Sequence, residues 1–399
     1  MRNNTRQLYR DERGMSLIYV AVGLMSFIAA TTLAIDVGMF MTARSQAQNS
    51  ADAGALAGVS ALVFNDWNNR SSSGPAVQNA IDAAHTNKVI FESPSVRPDD
   101  VTFPAGPTGN NRVQVNVFRT ADRADETLGE AGPVPTLMGR FFNVESVNIA
   151  ATATAEASPA DAMTCVKPFM IPDKWEEVQT PDWDPSDTFE MYDKKGELLP
   201  NRDIYIPVRN CPTCKDNPAY TGYSVKKDKG QQLILRAGTG GNIVPSFYYS
   251  WKMPGDIGGD FYRDNIANCN MSVVKWNDPI IQEPGDKMGP TVQGIEDLIA
   301  KDPSARWDPG CECVKDSQYA GQSPRTFPIP LYDPAYYDLG RTHGRDADFK
   351  VANFLGFFAD HVQGNQIYGY ITGVIGVVSG TLPGPAPSAM FPVSIRLVQ

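Results

Sequence analysis

The feature that most constrains this chain is a charge-free apolar segment that runs into a long alanine-rich stretch without a helix breaker. No charged side chain occurs from Gly14 to Ile35. These roughly 22 residues would form a helix of about 33 Å, long enough to cross the hydrocarbon core of a bilayer. Residues 14–66 are therefore predicted to form a transmembrane helix that continues as an extended anchor helix outside the membrane.

The charges before this segment predict its orientation. Residues 1–13 hold the basic residues Arg2, Arg6, Arg10 and Arg13 and fewer acidic ones. By the positive-inside rule they form a cytoplasmic tail, and the bulk of the chain lies on the other side of a single-pass span. A cleaved secretory signal is the alternative, but the helical pattern continues beyond the point where such a signal would end.

The alanine-rich part carries small residues at helical spacing. Ala47, Ala51 and Ala55 recur every four residues, and Gly54 and Gly58 add a small-xxx-small pair of the kind that lets helices pack closely. A carboxylate, Asp36, lies late in the apolar run. Two interpretations of Asp36 stay open: a role in helix association together with Gly54 and Gly58, or solvation by water and headgroups at the membrane surface.

These residues resemble one family. The chain has Arg13-Gly14, the apolar run, Asp36-Val37-Gly38 and a Gln48-to-Ala57 segment that reads QNSADAGALA. In this combination the region is similar to the N-terminal region of Tad pilus-assembly proteins of the TadE/TadG type, which are associated with Flp-type pili. A weaker resemblance extends to about residue 157, where 141–147 and the following Ala-Thr repeats look like the strand that closes this region in relatives.

The resemblance implies a place and a role. It predicts a bacterial inner-membrane protein with its bulk periplasmic or extracellular, partnered by other Tad pilus-assembly proteins or pilins, with secretin or peptidoglycan as further candidate partners. Members that are cleaved as prepilins carry a glutamate at the fifth position after the glycine, where this chain has Tyr19. We therefore expect the anchor to be retained, without cleavage between Gly14 and Met15. The Asp-x-Ser-x-Ser metal motif of TadG relatives with a von Willebrand A domain is also missing from the sequence.

Length and composition predict an α+β protein with at least two units outside the membrane. The chain has 399 residues, and 42% of them are hydrophobic, enough for buried cores beyond the anchor. The net charge of −10 and the pI near 4.9 argue against a nucleic-acid partner, because phosphates are bound by clustered lysine and arginine.

Hydrophobic periodicity divides the outer part near residue 158. Residues 67–158 read as a small, pilin-like α+β unit, with a helix over 76–86 and strands over 113–117 and 147–153. Residues 159–399 read as a β-rich domain interrupted by one helix, capped by Thr291 and running over 292–301. The β-prone runs of this domain are 204–206, 233–235, 247–249, 329–331, 368–378 and a last strand at 393–398.

All cysteines follow the apolar segment, on the side assigned to an oxidising compartment. Three disulfides are expected from Cys165, Cys211, Cys214, Cys269, Cys311 and Cys313. Six cysteines allow 15 pairings, so the connectivity stays open. A redox pair at Cys211-x-x-Cys214 is one alternative, and a four-thiolate zinc site that adds Cys311 and Cys313 is another, disfavoured by the single residue between the second pair.

No motif for catalysis or a cofactor stands out. The three histidines, His85, His343 and His361, belong to no hydrolase or metal motif. Calcium ligands could come from Asp182, Asp184 and Asp187, but the glycine and glutamate of an EF-hand are missing. The chain is therefore predicted to be a non-catalytic assembly protein that acts through helix association and extracytoplasmic binding, with neither metal nor cofactor.

Two other functions stay open. One is a membrane-tethered extracytoplasmic enzyme or thiol-disulfide protein that uses Cys211 and Cys214. The other is a surface adhesin or binding module, for which the aromatic residues Trp251, Tyr262 and Trp276 would be candidates for ligand contact.

Overall fold

The computed structural model describes residues 12–64, 69–106, 111–125, 127–179, 184, 186–209, 219–319, 322–342, 348–379 and 391–398. Its helices are α1 (Glu12–Phe64), α2 (Pro75–Thr86), α3 (Val225–Asp228), α4 (Gly259–Ala267), α5 (Met288–Lys301) and α6 (Pro334–Thr342), with 3-10 turns at Pro98–Asp100, Ala121–Arg123 and Gly139–Phe142. Its strands are β1 (Val101–Thr102), β2 (Arg112–Arg119), β3 (Val134–Pro135), β4 (Ser146–Val147), β5 (Ile149–Pro159), β6 (Ala162–Met163), β7 (Phe169–Pro172), β8 (Gln232–Ala237), β9 (Phe247–Ser250), β10 (Val274–Lys275), β11 (Pro279–Ile281), β12 (Arg306–Asp308), β13 (Cys313–Lys315), β14 (Thr326–Tyr332), β15 (Asp348–Gln363), β16 (Gln366–Thr372) and β17 (Val393–Val398).

Helix α1 confirms the predicted long N-terminal helix. It has 53 residues, which at 1.5 Å per residue corresponds to about 80 Å. Its N-terminal part holds an 18-residue window with a mean hydropathy of 2.1, of which only 6% is buried. From Ala43 onward, in contrast, one face is fully covered by protein. One half of α1 is thus fit to cross a membrane, and the other half belongs to a protein core.

The C-terminal half of α1 packs on a four-stranded antiparallel sheet in the order β1-β2-β5-β17. Helix α2 lies beside α1. Along β2 the inward residues Val113, Val115 and Val117 are fully buried and the alternate ones are partly exposed, which is the period of two that the sequence showed. Helix α2 and strands β2 and β5 lie where the sequence predicted a helix and two strands.

The C-terminal strand β17 belongs to this first sheet. It pairs antiparallel with β5, from Val393 opposite Pro159 to Val398 opposite Thr154. The chain therefore leaves the small unit at residue 159, forms the β-rich domain and returns. The domain boundary near residue 158 remains a prediction. The structure adds that the last strand, β17, completes the sheet of the N-terminal unit.

The β-rich domain is built around a closed six-stranded barrel. Its strands run β15-β14-β7-β9-β8-β16, and β16 pairs back onto β15. The β14–β7 and β8–β9 pairs are parallel and the other four are antiparallel. Strand β15 has 16 residues and closes the barrel because its first part pairs with β11 and β14 and its second part with β16. The β-rich character is confirmed, and closure removes the exposed edges of an open sheet.

Aromatic rings fill the interior of this domain. Phe349 stacks on Tyr337 at 4.4 Å between ring centroids and meets Tyr332 edge-on at 4.8 Å. Helices α4 and α5 pack on each other, and α5 packs on β15. A Cβ on Gly294 would lie 2.7 Å from Ile266 Cβ, so this glycine sets the close approach of α4 and α5.

Three local predictions are wrong. Helix α5 begins at Met288, so Thr291 lies inside it, where its hydroxyl donates to the Lys287 carbonyl, and does not cap it. Residues 204–206 form a single bridge, Ile204 to Glu176, in place of a strand. The third prediction is wrong only for 141–147, which hold a 3-10 turn and the short β4, whereas the Ala-Thr repeats that follow form β5, between β2 and β17 in the sheet.

Two disulfides staple the β-rich part of the chain among the residues that the structure describes. Cys165 is bonded to Cys269, and Cys311 to Cys313. Because Cys311 and Cys313 are bonded to each other, neither is free to bind zinc in the alternative four-thiolate site. Cys211 and Cys214 lie outside the described residues.

Candidate membrane-anchor site

The N-terminal part of α1 exposes apolar side chains on nearly all sides. Leu17, Met25, Phe27 and Met41 are each about 70% exposed. Asp36 is the one charged residue between Ser16 and Ala43 in the sequence. Such a surface is unfavourable in water and favourable in lipid, because transfer of apolar area out of water contributes roughly 25 cal/mol per Å².

One narrow face of this segment is covered by the chain itself. Thr32 is 7% exposed, Asp36 5% and Ala43 0%. Their separations of four and seven residues place them on one side of the helix. The covered face therefore extends from the buried half of α1 into the apolar half, as far as Thr32.

Asp36 binds three successive backbone amides. Its Oδ1 accepts hydrogen bonds from the N–H groups of Leu137 at 3.0 Å and Met138 at 3.2 Å, and its Oδ2 accepts one from Gly139 at 2.6 Å. These amides open the 3-10 turn Gly139–Phe142. Amides at the start of a helical turn have no partner within it and carry a partial positive charge, so a carboxylate is their natural ligand.

The loop that carries these amides is a short hairpin, and we name residues 134–147 the β3–β4 finger. Strands β3 and β4 pair through Val134–Val147 and Pro135–Ser146. Inside the finger the Thr136 amide donates to the Glu145 carbonyl at 2.9 Å, and the Val144 amide donates to the Gly139 carbonyl at 3.0 Å. Asn143 takes the left-handed conformation, with φ at 65°, that ends the turn. The finger is thus closed by its own hydrogen bonds and joined to α1 through Asp36.

Gly54 and Gly58 contact the protein's own second helix and sheet. A Cβ on Gly54 would lie 2.9 Å from the Ala80 carbonyl oxygen, and one on Gly58 would lie 2.8 Å from Val113 Cγ1. The Ser50 hydroxyl donates to the Ala84 carbonyl at 2.8 Å in the same contact. These small residues allow α2 to approach α1 closely, so the helix partner that they meet in the structure is intramolecular.

A second set of small residues lies on the open side of α1. Ser26, Ala30, Ala34 and Gly38 recur every four residues and are all exposed. A Cβ on Gly38 would meet no atom within 4 Å. Ala34 is two residues from both Thr32 and Asp36, which places it about 200° around the helix from each of them. Ala34, and Gly38 two residues beyond Asp36, therefore face away from the β3–β4 finger.

The remaining predicted site residues lie either at the start of the anchor helix or outside it. Gly14 and Met15 are in the first turns of α1, and Tyr19 is 72% exposed. Asp184 and Asp187 lie in one exposed turn, where Asp187 Oδ2 accepts from the Asp184 amide and Asp184 Oδ1 accepts from the Ser186 amide.

Asp182 falls outside the described residues. Within the part of the chain that the structure describes, no three histidine, cysteine or acidic side chains are grouped to hold a metal ion. The aromatic candidates for an adhesin are all less than 10% exposed: Trp251, Tyr262 and Trp276. Their rings belong to hydrophobic clusters.

The sequence did not reveal the buried carboxylate network at the end of β7. Asp173 is 0% exposed, its Oδ2 accepts from the hydroxyls of Tyr220 at 2.8 Å and Tyr205 at 3.1 Å, and its Oδ1 accepts from the Tyr223 amide. Burial raises the pKa of Asp173 to about 7. The partners are 32 to 50 residues away in the sequence, so no local motif could show them. The network joins Tyr205, Tyr220 and Tyr223 to the end of β7, and all three tyrosines are buried.

Together, these features define a class: a protein with one apolar anchor helix that continues into an α+β unit and a disulfide-stapled barrel. Comparison with protein families then relates the N-terminal region to one family. Residues 14–61 match the family described as Tad, putative Flp pilus-assembly TadE/G-like. This match confirms the resemblance of the N-terminal region and supports a role in Flp pilus assembly. The comparison with curated proteins finds no match, and neither does the comparison with solved structures.

Proposed function

We propose that this protein is a non-catalytic, single-pass component of Flp-type pilus assembly in a bacterial inner membrane. The observation that carries the proposal is that the region matching the TadE/G-like family, residues 14–61, contains a helix whose apolar surface is left open by the rest of the chain. In this proposal residues 1–13 stay in the cytoplasm, and the α+β unit and the barrel lie on the outer side. The basic residues of the tail support this orientation.

The proposed activity of the anchor is lateral association with other apolar helices, either of pilins or of other Tad proteins. The face used would be the one with Ser26, Ala30, Ala34 and Gly38, because small side chains let two backbones approach and gain van der Waals contact in lipid. This face is open, whereas Gly54 and Gly58 are occupied by α2. The Asp36 face is occupied by the β3–β4 finger.

The outer domain would provide the extracytoplasmic binding surface, with a pilus subunit, a secretin or peptidoglycan as its partner. Its position relative to the membrane is supported by β17, which returns from the barrel domain to the sheet that α1 packs against. A force or a displacement at the barrel would therefore reach the anchor through a hydrogen-bonded sheet and not through a single linker.

The test is a pair of substitutions in the native host. Ala34→Leu places a bulky side chain on the small-residue face, whereas Ile35→Leu keeps size and apolarity at the next position, 100° around the helix. We expect Ala34→Leu to reduce co-purification of other Tad proteins and the number of pili about tenfold, equivalent to about 1.4 kcal/mol of association. Equal membrane abundance of both variants is the control. Wild-type piliation and co-purification in Ala34→Leu would refute this face as the contact.

A further inference from the structure

We propose that the tip of the β3–β4 finger, residues 137–144, docks into the lipid headgroup layer of the membrane that α1 crosses. The inference rests on the membrane anchor of the proposed function and adds a second membrane contact, made by the outer α+β unit. Its occupant is the lipid surface itself, recognised by apolar side chains and one basic residue.

The depth of the finger along α1 is the first argument. Counted from Ser16, a hydrocarbon core of about 30 Å ends near residue 36. The Asp36 carboxylate that holds Leu137, Met138 and Gly139 is therefore at the outer boundary of the core. Beyond it α1 stays apolar and exposed through Val37 and Met41, and its next charged residue is Arg44. A lipid layer that covers this part of α1 also reaches the finger.

The exposed surface of the tip is the second argument. Leu137 is 54% exposed and Val144 is 47% exposed, although the tip is part of a well-packed unit. Arg140 is the one charged residue of 137–144 in the sequence, it is exposed, and one of its donors binds the Thr136 carbonyl at 3.1 Å. Apolar side chains with a neighbouring arginine fit the boundary between acyl chains and phosphates, where each finds its preferred surroundings.

The hydrogen bonding of the backbone is the third argument. In a water-poor layer each unsatisfied N–H or C=O group costs several kcal/mol. At the tip the amides of 137, 138 and 139 bind Asp36, the Asn143 amide binds the Arg140 carbonyl, and the Val144 amide binds the Gly139 carbonyl. The tip can therefore leave water without losing these hydrogen bonds.

Other exposed apolar residues provide controls. Phe91 is 89% exposed, and the neighbouring Ile90 amide binds Gln46 Oε1 at 2.8 Å. Gln46 is ten residues after Asp36, or about 15 Å further from the core. Ile257, in the loop before α4, is 66% exposed. If exposure alone decided the yield of lipid labelling, both residues would be labelled at least as strongly as Leu137. The proposed depth of the finger predicts that they are labelled less.

The experiment uses the full-length protein in nanodiscs of phosphatidylethanolamine and phosphatidylglycerol that contain a phospholipid with a diazirine near the headgroup. After irradiation, lipid adducts are mapped by mass spectrometry. We expect adducts on residues 137–144 at yields similar to those on 37–41, and about tenfold above those on the segments of Phe91 and Ile257. The double variant Leu137→Asp, Val144→Asp should lose the finger adducts, whereas Ile257→Asp should leave them unchanged.

The outcomes are distinguishable. Adducts on 37–41 without adducts on 137–144 would overturn the inference and leave the anchor intact. No adducts anywhere on α1 would overturn both the anchor and this inference. A cross-link from 137–144 to another protein in place of lipid would assign the tip to a protein partner, which also contradicts the proposal. An intact Cys165–Cys269 disulfide in the double variant shows that it has folded.

Discussion

The carboxylate of Asp36 accepts a 2.6 Å hydrogen bond from the backbone amide of Gly139, which follows it by 103 residues in the sequence. This contact joins the apolar half of α1 to the α+β unit. Two further amides of the same loop bind the same carboxylate. An acidic residue in an apolar helix, which is costly in isolation, is here the acceptor for donors that would otherwise be unpaired.

Asp36→Ala should release the β3–β4 finger from α1. Three amides lose their acceptor, and a buried unsatisfied donor costs about 1–3 kcal/mol, so hydrogen exchange at the amides of 137–139 should accelerate at least about tenfold. The measurement is hydrogen-deuterium exchange of the detergent-solubilised protein. Asp184→Ala, in an exposed turn far away in sequence, is the control. Unchanged exchange at 137–139 would contradict the hydrogen bonds to Asp36.

Gly58→Ala should destabilise the packing of α1, although alanine favours helices. The added Cβ would lie 2.8 Å from Val113 Cγ1 and 3.2 Å from the Ala76 carbonyl oxygen, and overpacking of this kind costs about 1–3 kcal/mol. Gly23→Ala is the matched control, because no atom lies within 4 Å of its Cβ position. It should be neutral or stabilising by up to about 1 kcal/mol. Thermal unfolding in detergent separates the two, and equal midpoints would refute the close packing of Gly58.

Asp173 should make the protein less stable as pH rises from about 4 to about 7. Burial raises its pKa from the usual 3.8 to about 7 in the folded state, so the folded state binds more protons than the unfolded state in this range. The free energy of unfolding then falls with increasing pH. Asp173→Asn removes this ionisable group. The difference in the free energy of unfolding between the wild type and the variant should therefore change by about 2–4 kcal/mol between pH 4 and pH 7.

The control for the pH series is Asp184→Asn, since hydrogen bonds from Ser186 lower the pKa of that exposed carboxyl. Its difference curve should lack the fall between pH 4 and 7. A flat difference curve for Asp173→Asn would mean that Asp173 ionises normally in the folded protein.

The two disulfides that lie among the described residues should differ in their effect on stability. Cys165 and Cys269 are 104 residues apart, whereas Cys311 and Cys313 are two apart. Because a cross-link stabilises mainly by restricting the unfolded chain, Cys165→Ser with Cys269→Ser should cost about 2–5 kcal/mol. Cys311→Ser with Cys313→Ser should cost much less. Unfolding midpoints without reductant test this order, and equal losses would contradict it.

Local patterns predicted the elements that are half-buried. The apolar run predicted α1, and the alternation of Val113, Val115 and Val117 predicted β2, because one face of each element meets the core and the other meets water or lipid. Strand β15 was missed for the opposite reason. Residues 351–359 are all buried, and all of them except Asn353 are apolar or glycine, so this part of the strand shows no period of two.

For the candidate site, too, the sequence predicted some features and missed others. The apolar surface of α1 and its small residues are properties of consecutive residues, so the sequence alone indicated a membrane anchor and its resemblance to TadE/G-like proteins. Which surface of the anchor stays open could not be read from the sequence. Gly54 and Gly58 look like an association motif until α2, some 25 residues further on, is seen to cover them.

The sequence by itself determined that a long apolar helix over residues 14–66 is followed by an α+β unit and a β-rich domain, and that cysteines are present for disulfides. Only the tertiary structure decided that the barrel closes, that β17 returns to the first sheet, and that Asp36 holds the finger. The physical reason is the separation in sequence over which each interaction acts. Hydrophobic periodicity acts within an element, whereas barrel closure, strand order and the acceptor of a hydrogen bond depend on residues that are a hundred or more positions apart and meet only after folding.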